Sequence, residues 1–184
     1  MSFDFSTLVT DRTQQDVAYV KQLIDKLVTG TATDAEKAEW NSFTLKGAYN
    51  HTDLNRVTAA MEDLKSRLEG YGYAVPRYQR IEVPHPSADG EIEPPVDEYD
   101  PYLWYEFDWL TPQTMTVYLL NVSAIRAVLD VMESTPQVPN DMVGLMVKEA
   151  NDIEVILLDV YRQINIMPTT FIPCGEALCG GDNL

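Results

Sequence analysis

The fold of this chain is read most directly from residues 52–70, TDLNRVTAAMEDLKSRLEG. Apolar residues recur there at spacings of three and four, which places them on one face of an α-helix. They are Leu54, Val57, Met61, Leu64 and Leu68. Thr52 is a residue type that caps helix N-termini, and Gly70 is a type that ends helices. This stretch predicts an amphipathic helix whose apolar face lies in a core.

Two segments before this helix show the same period. Residues 13–28 predict a first helix, with Thr10-Asp11 as candidate N-caps and Gly30 as its terminator. Thr33 and Glu36 have the spacing of a capping box, which predicts a short second helix. We expect four residues around that helix to point inward, namely Ala35, Ala38, Trp40 and Phe43.

Two segments after it are also helical. Thr111-Pro112 is an N-cap followed by proline at the first helical position, and it opens a fourth helix. Its predicted buried stripe consists of Met115, Leu119, Val122, Ile125, Leu129 and Met132. A fifth helix is predicted from about residue 146 to 164, with Ile153, Leu157, Val160 and Ile164 inward. Asp152 and Glu154 on this helix are expected to lie on its solvated face.

The helical pattern is interrupted between the third and fourth helices. Residues 75–83 alternate as a strand does, and residues 103–109 could form a second strand beyond a Pro-rich acidic loop. The fold class is therefore predicted as mainly α: a compact bundle of about five helices with a small two-stranded β excursion. Residues 1–166 are expected to be a single helical domain with the excursion inserted at about 76–106, and residues 167–184 an extended C-terminal arm.

Charge is distributed unevenly along the chain. The net charge is −16, and residues 81–184 hold 18 acidic residues against three basic ones. Such a surface repels phosphate backbones and anionic membranes, so we expect neither nucleic acid nor membrane among the partners. The N-terminus lacks the pattern of a signal peptide, and no apolar run approaches the ~18 residues that span a bilayer. The sequence predicts a soluble protein made in the cytoplasm.

The sequence offers little for catalysis or metal binding. Its two cysteines, Cys174 and Cys179, do not have zinc or redox spacing, and they are read as free thiols. Its two histidines, His51 and His85, are far from them in sequence, and no phosphate loop, zinc-protease or nucleophile-elbow motif is present. We therefore predict a protein that is not an enzyme, with no catalytic residue, no metal and no cofactor.

An aromatic and acidic cluster near residue 100 is the candidate partner-binding site. It consists of Tyr99, Tyr102 and Trp104 together with Asp97, Glu98 and Asp100. Alternation places Trp104 on one face of the predicted strand, and Leu103 and Tyr105 on the other. Leu103 and Tyr105 are expected to pack on the helices. Tyr99, Tyr102 and Trp104 would then remain outside, where they would suit a protein partner or a stacked sugar.

Several strings of the chain resemble a module of phage and prophage tail-region proteins of Firmicutes. The most specific is GAYNHTDLNRV at residues 47–57. The other matching stretches are residues 10–17, 33–40, 107–112 and 150–160. The resemblance assigns no catalytic residue, and residues 76–106 look like an insertion relative to it. In this module Gly47-Ala48 permits close helix approach or a tight turn, and Arg12 could reach a carboxylate from the second half of the chain.

The resemblance implies a structural or connector protein of a phage virion, associated with the tail. Such a protein would work by assembly with other virion proteins or copies of itself, and its location would be the virion. Two alternatives stay open. The aromatic loop could recognise a host-surface glycan, or the acidic half could imitate DNA and inhibit a nuclease or repressor. Because nine of the 18 acids fall in residues 82–108, the sequence predicts a basic surface on the partner.

Overall fold

The computed structural model describes residues 2–83, 100, 102–105, 108 and 110–170, and within them the protein is mainly helical. Five α-helices occur in this part of the chain: α1 (Gln14–Val28), α2 (Asp34–Trp40), α3 (His51–Gly70), α4 (Pro112–Arg126) and α5 (Val147–Thr170). A single 3-10 turn, Phe5–Thr7, precedes them. None of these helices is long and apolar enough to cross a bilayer.

The core is a bundle of α3, α4 and α5, each of which packs against the other two. The predicted stripe of α3 is confirmed, because Leu54, Val57, Met61, Leu64 and Leu68 are all buried. The inward residues predicted for α5 are buried as well, as are the first four predicted for α4. Leu129 and Met132 follow the end of α4 at Arg126, and Met132 is exposed.

The helix boundaries differ from the predicted ones at three ends. Thr13 caps α1 in a capping box with Asp16, in place of Thr10-Asp11. Asn50 caps α3, because the Thr52 hydroxyl instead donates to the carbonyl oxygen of Phe43 at 2.8 Å. At the other end of the chain, α5 continues to Thr170 and so includes residues 167–170 of the predicted arm. The rest of that arm, residues 171–184, lies outside the described residues.

Helix α2 packs beside α1 through polar contacts. Tyr19 of α1 donates to Glu39 of α2 at 2.5 Å, and Lys26 pairs with Glu36. The predicted capping box of Thr33 and Glu36 is present. The predicted inward face is wrong for Ala35 and Ala38, which are exposed, because α2 is too short to bury an apolar stripe.

Three segments that are neither helix nor strand, around Arg12, Gln79 and Trp104, lie on the helical core. The predicted strand at 75–83 is wrong, since no strand occurs among the described residues, and part of the second predicted strand lies outside them. One residue in each segment bonds instead to an asparagine side chain, whose carbonyl oxygen accepts from the backbone N–H and whose NH₂ group donates to the backbone carbonyl. Val75, Ile81 and Val83 are nevertheless buried, so the alternation records burial and not strand pairing.

Each of these three segments is hydrogen-bonded by an asparagine side chain from a different core helix. We call these three residues the pairing asparagines. Asn55 of α3 bonds both backbone groups of Trp104, at 2.7 Å each. Asn121 of α4 does the same for Gln79, at 2.7 and 2.9 Å. Asn151 of α5 does so for Arg12, at 3.0 Å each. One side chain thus substitutes for one residue pair of an antiparallel ladder.

Gly47 allows the connection between α2 and α3 to lie against α1. A Cβ atom at this position would be 2.1 Å from the carbonyl oxygen of Asp16. This distance confirms the prediction that Gly47-Ala48 permits a close approach.

Candidate partner-binding surface

Half of the predicted partner-binding residues can be placed. Asp97, Glu98 and Tyr99 lie outside the described residues. Asp100 is exposed, and its carboxylate accepts a hydrogen bond from the backbone N–H of Tyr102 at 3.0 Å. Tyr102 is half-buried, and the guanidinium of Arg80 lies 3.4 Å from the centre of its ring. This cation–π contact joins the two ends of the excursion at its base.

Trp104 was expected on the outside, and that expectation is wrong because its side chain is only 1% exposed. Asn55 bonds both backbone groups of Trp104 and thereby sets which way the segment faces. Leu103 and Tyr105, which were expected to pack on the helices, are exposed instead. Trp104 is therefore a core residue, and its ring is not available to stack on a sugar or a protein partner.

A second surface, which we call the α4 groove, was not predicted from the sequence. It has a volume of about 530 Å³ and runs between α4 and the connection 127–146. Its lining is mostly apolar and includes Leu110, Met115, Leu120, Val138, Met142 and Val143. Leu110 is 56% exposed, Leu120 is 50% exposed and Val143 is 87% exposed. Apolar side chains of this size, grouped and open to solvent, mark a site of interaction.

The composition of α4 explains why this groove exists. The helix carries no charged residue between Pro112 and Ile125, and its apolar residues extend around most of its circumference. One side packs in the core through Tyr118, Val122 and Ile125. Residues on the opposite side, Thr116 and Leu120 among them, have no helix over them and form one wall of the groove. A helix that is apolar all round is normally covered on all sides.

The other wall is held in place by hydrogen bonds. The guanidinium of Arg126 donates to the carbonyl oxygens of Thr135 and Pro136, at 3.1 and 2.7 Å. The Thr135 hydroxyl donates to the buried carboxylate of Asp159 at 2.9 Å, and Gln163 donates to the carbonyl oxygen of Asp130. The part of the connection that precedes the groove lining, at Asp130, Thr135 and Pro136, is thus held against α4 and α5.

Among the described residues, the lining of the α4 groove contains one charged residue, Asp141, and the connection 127–146 that carries it is acidic. Residues 110–146 contain Asp130, Glu133 and Asp141 and only one basic residue, Arg126. Arg126 is engaged with backbone carbonyls of the connection. In the described residues of the second half, the two remaining cations are also engaged, because Lys148 pairs with Asp152 and Arg162 with Asp159. In the part of the chain that the structure describes, none of these three cations pairs with Asp130, Glu133 or Asp141, and the groove lining contains no lysine or arginine.

A buried ionic cluster lies at the other side of the core, and it joins the N-terminal segment to α3 and α5. Arg12 donates to Asp53 at 2.8 Å and to Glu154 at 2.7 Å. Arg56 also pairs with both carboxylates, at 2.8 Å to Glu154. Two cations thus neutralise two anions inside the protein, and the predicted reach of Arg12 to a carboxylate of the second half is confirmed. The expectation that Glu154 lies on a solvated face is wrong, because it is fully buried.

Two tyrosine hydroxyls extend this cluster toward the groove. The hydroxyls of Tyr49 and Tyr118 lie 2.7 Å apart. Burial raises the pKa of Tyr49, and the negative charge of Glu154 raises it further. Burial also raises the pKa of Tyr118 well above its ordinary value. Both hydroxyls are thus neutral at physiological pH. Each carboxylate and guanidinium of the cluster has partners within the fold. The cluster therefore stabilises the contact between the N-terminal segment and the two helices.

The sequence did contain a signal for the groove. The absence of charge from Pro112 to Ile125 distinguishes α4 from α3, in which charged residues follow one another closely. The sequence analysis assigned the apolar residues of α4 to one buried stripe and left the opposite side of the helix without an assignment.

Comparison of the chain with protein-family models, with curated proteins and with solved structures finds no match.

Proposed function

We propose that this protein is a non-enzymatic structural or connector protein of a phage virion, associated with the tail and working by protein–protein assembly. The observation that carries the assembly role is the α4 groove, which exposes Leu110, Leu120 and Val143 beside a helix with no charged residue before Arg126. Burial of such a surface against a neighbour removes apolar area from water and so favours association. The virion and tail assignment rests on the resemblance of residues 10–68 and 107–162 to the phage tail-region module.

The interior supports a scaffold role in this proposal. Buried ion pairs of Arg12 with Asp53 and Glu154 hold the N-terminal segment against two core helices. The pairing asparagines hold the three non-helical segments against the core helices through hydrogen bonds to the backbone. A body held together at so many points presents its surface groove in one geometry, which suits a component that must fit a fixed neighbour.

Quantitative mass spectrometry of purified particles tests the proposal. We expect the chain at a fixed copy number per particle, and cross-linking through a cysteine introduced at Val143 should capture a neighbouring virion protein. The variant Leu120→Gln should be incorporated poorly, because it places an amide in the apolar groove. Val28→Gln is the matched control, since Val28 is an 82% exposed apolar residue at the end of α1. Absence of the chain from particles, or equal incorporation of both variants, would overturn the proposal.

A further inference from the structure

We infer that the occupant of the α4 groove is an amphipathic helix of a partner protein, with lysine or arginine residues flanking its apolar face. This inference deepens the proposed function and rests on it, because it gives the chemistry of the neighbour at the same surface. Shape, polarity and charge of the groove each contribute one step.

The length of the groove fits a helix of three to four turns. The α4 wall runs from Pro112 to Ser123, which corresponds to about 17 Å at the helical rise. Apolar residues at positions i, i+4, i+7 and i+11 of a partner helix cover about the same distance. A volume of about 530 Å³ admits several such side chains. The polar groups of Thr116, Ser123 and Asn140 lie in the lining among the apolar residues.

The charge of the connection selects the flanks of that helix. Asp141 lines the groove, and Asp130 and Glu133 lie on the same connection outside the lining. None of the three carboxylates has an ion-pair partner among the described residues, and Arg126 is engaged with the connection. A helix with basic flanks would complement these acids and would be attracted over the distance of a Debye length. An acidic or uncharged helix would gain the apolar contact alone.

The same charge disfavours occupants that belong to this chain. A second copy seated groove to groove would bring two acidic connections together, and each copy carries a net charge of −16. The C-terminal residues 171–184 of another copy include Glu176 and Asp182 but no basic residue. Both arrangements would bring like charges together, which costs free energy and lowers the association rate. A separate partner of opposite charge removes this repulsion.

Binding of synthetic peptides to the full chain tests the inference. Three fluorescein-labelled peptides of about 18 residues are compared by anisotropy, a length at which helices become stable enough to form. The first has leucine at helical spacing with lysine flanks, the second has glutamate in place of lysine, and the third is a scrambled form of the first. We expect the first to bind roughly tenfold more tightly than either of the others. Its binding should weaken as salt is raised from about 0.05 M to about 0.5 M.

Variants of the protein locate the binding. Leu120→Gln should weaken the basic amphipathic peptide roughly tenfold, and Val28→Gln should leave it unchanged. The triple variant Asp130→Asn, Glu133→Gln, Asp141→Asn should remove most of the preference for lysine flanks. Equal binding of the scrambled peptide, equal binding of the glutamate peptide, or indifference to Leu120→Gln would each overturn the inference.

The outcome separates this inference from the proposed function. If the peptides fail while particle incorporation still depends on Leu120, the protein remains an assembly component and only the nature of the occupant is wrong. Sedimentation velocity provides the matching measurement for a second copy. A concentration-dependent dimer that Leu120→Gln abolishes would assign the groove to self-association and overturn the inference of a basic partner helix.

Discussion

The substitution Glu154→Gln tests whether the buried ionic cluster fastens the N-terminal segment to the core. One carboxylate oxygen of Glu154 accepts from Arg12 and Arg56, and the other accepts from the backbone N–H of Val9 and again from Arg56. In either orientation, the amide NH₂ of glutamine would face two N–H donors. The substitution also leaves two buried guanidinium groups with the single carboxylate of Asp53.

The magnitude follows from these contacts. Removing one partner of a buried ion pair destabilises a protein by about 3–5 kcal/mol, because the remaining charge is left uncompensated. A chain of this size has a total stability of about 5–15 kcal/mol, so the loss is a large part of it. The midpoint of thermal unfolding should fall by roughly 10 °C.

Urea unfolding followed by far-ultraviolet circular dichroism measures the loss of free energy. Glu69→Gln in α3 is the matched control, because Glu69 and its partner Lys65 are 47% and 30% exposed and such pairs contribute at most about 1 kcal/mol. Hydrogen exchange at the Val9 amide should accelerate in Glu154→Gln and not in the control. If both variants unfold within about 1 kcal/mol of the unmodified protein, the cluster does not hold this segment and the reasoning is refuted.

Three further predictions concern the glycines, a pairing asparagine and a surface ion pair. Gly47→Ala should lower the unfolding free energy by about 1–3 kcal/mol, because its Cβ would lie 2.1 Å from a carbonyl oxygen of α1. Gly70→Ala should raise the unfolding free energy by about 0.5–1 kcal/mol, because a Cβ there has nothing within 4 Å. Equal effects of the two substitutions would contradict this prediction. Asn121→Ala leaves two backbone groups of a non-helical segment unpaired, so urea unfolding should show a loss of about 2–4 kcal/mol; a loss near zero would mean that water replaces the amide. The hydrogen bond from Lys26 lowers the pKa of Glu36 to about 2, so the stability from this contact is present above about pH 4.5 and is lost as the pH falls toward 2; NMR titration should show Lys26→Met raising that pKa, and an unchanged value would count against the pair.

The helical core was predictable because its signal is local. The spacing of Leu54, Val57 and Met61 fixes one face of α3, and the same reasoning holds for α5. Thr111-Pro112 marks the start of α4 because both residues act on the backbone beside them. In each case, the physical cause lies within a few residues of its effect, so periodicity and capping suffice.

The strand and the site were not predictable in this way. Residues 75–83 alternate as a strand does, yet their backbone partner is the side chain of Asn121, which is 42 positions away from Gln79. The partners of Glu154 lie even farther along the chain, at Arg12 and Arg56. Periodicity places Glu154 at the edge of the apolar stripe of α5 and not within it, and only the tertiary fold supplies the two guanidinium groups that make its burial favourable.

Trp104 illustrates the same limit for the candidate site. Alternation groups residues into two faces, but it does not say which face meets the core. The amide of Asn55 decides this point by bonding both backbone groups of Trp104. The α4 groove was missed for a different reason, since a stripe of apolar residues says that something covers it and not whether the cover belongs to the same chain.

The pairing of Gln79 with Asn121 and of Trp104 with Asn55 also bears on how this protein could diversify. Each anchor is a single residue, and Arg80 stacked on Tyr102 brings the two ends of the intervening chain together. Ile81 and Val83 belong to the core, so they must be kept. A new binding sequence inserted after Val83 and before Asp100 would therefore be closed at small entropic cost and would leave the helices unchanged.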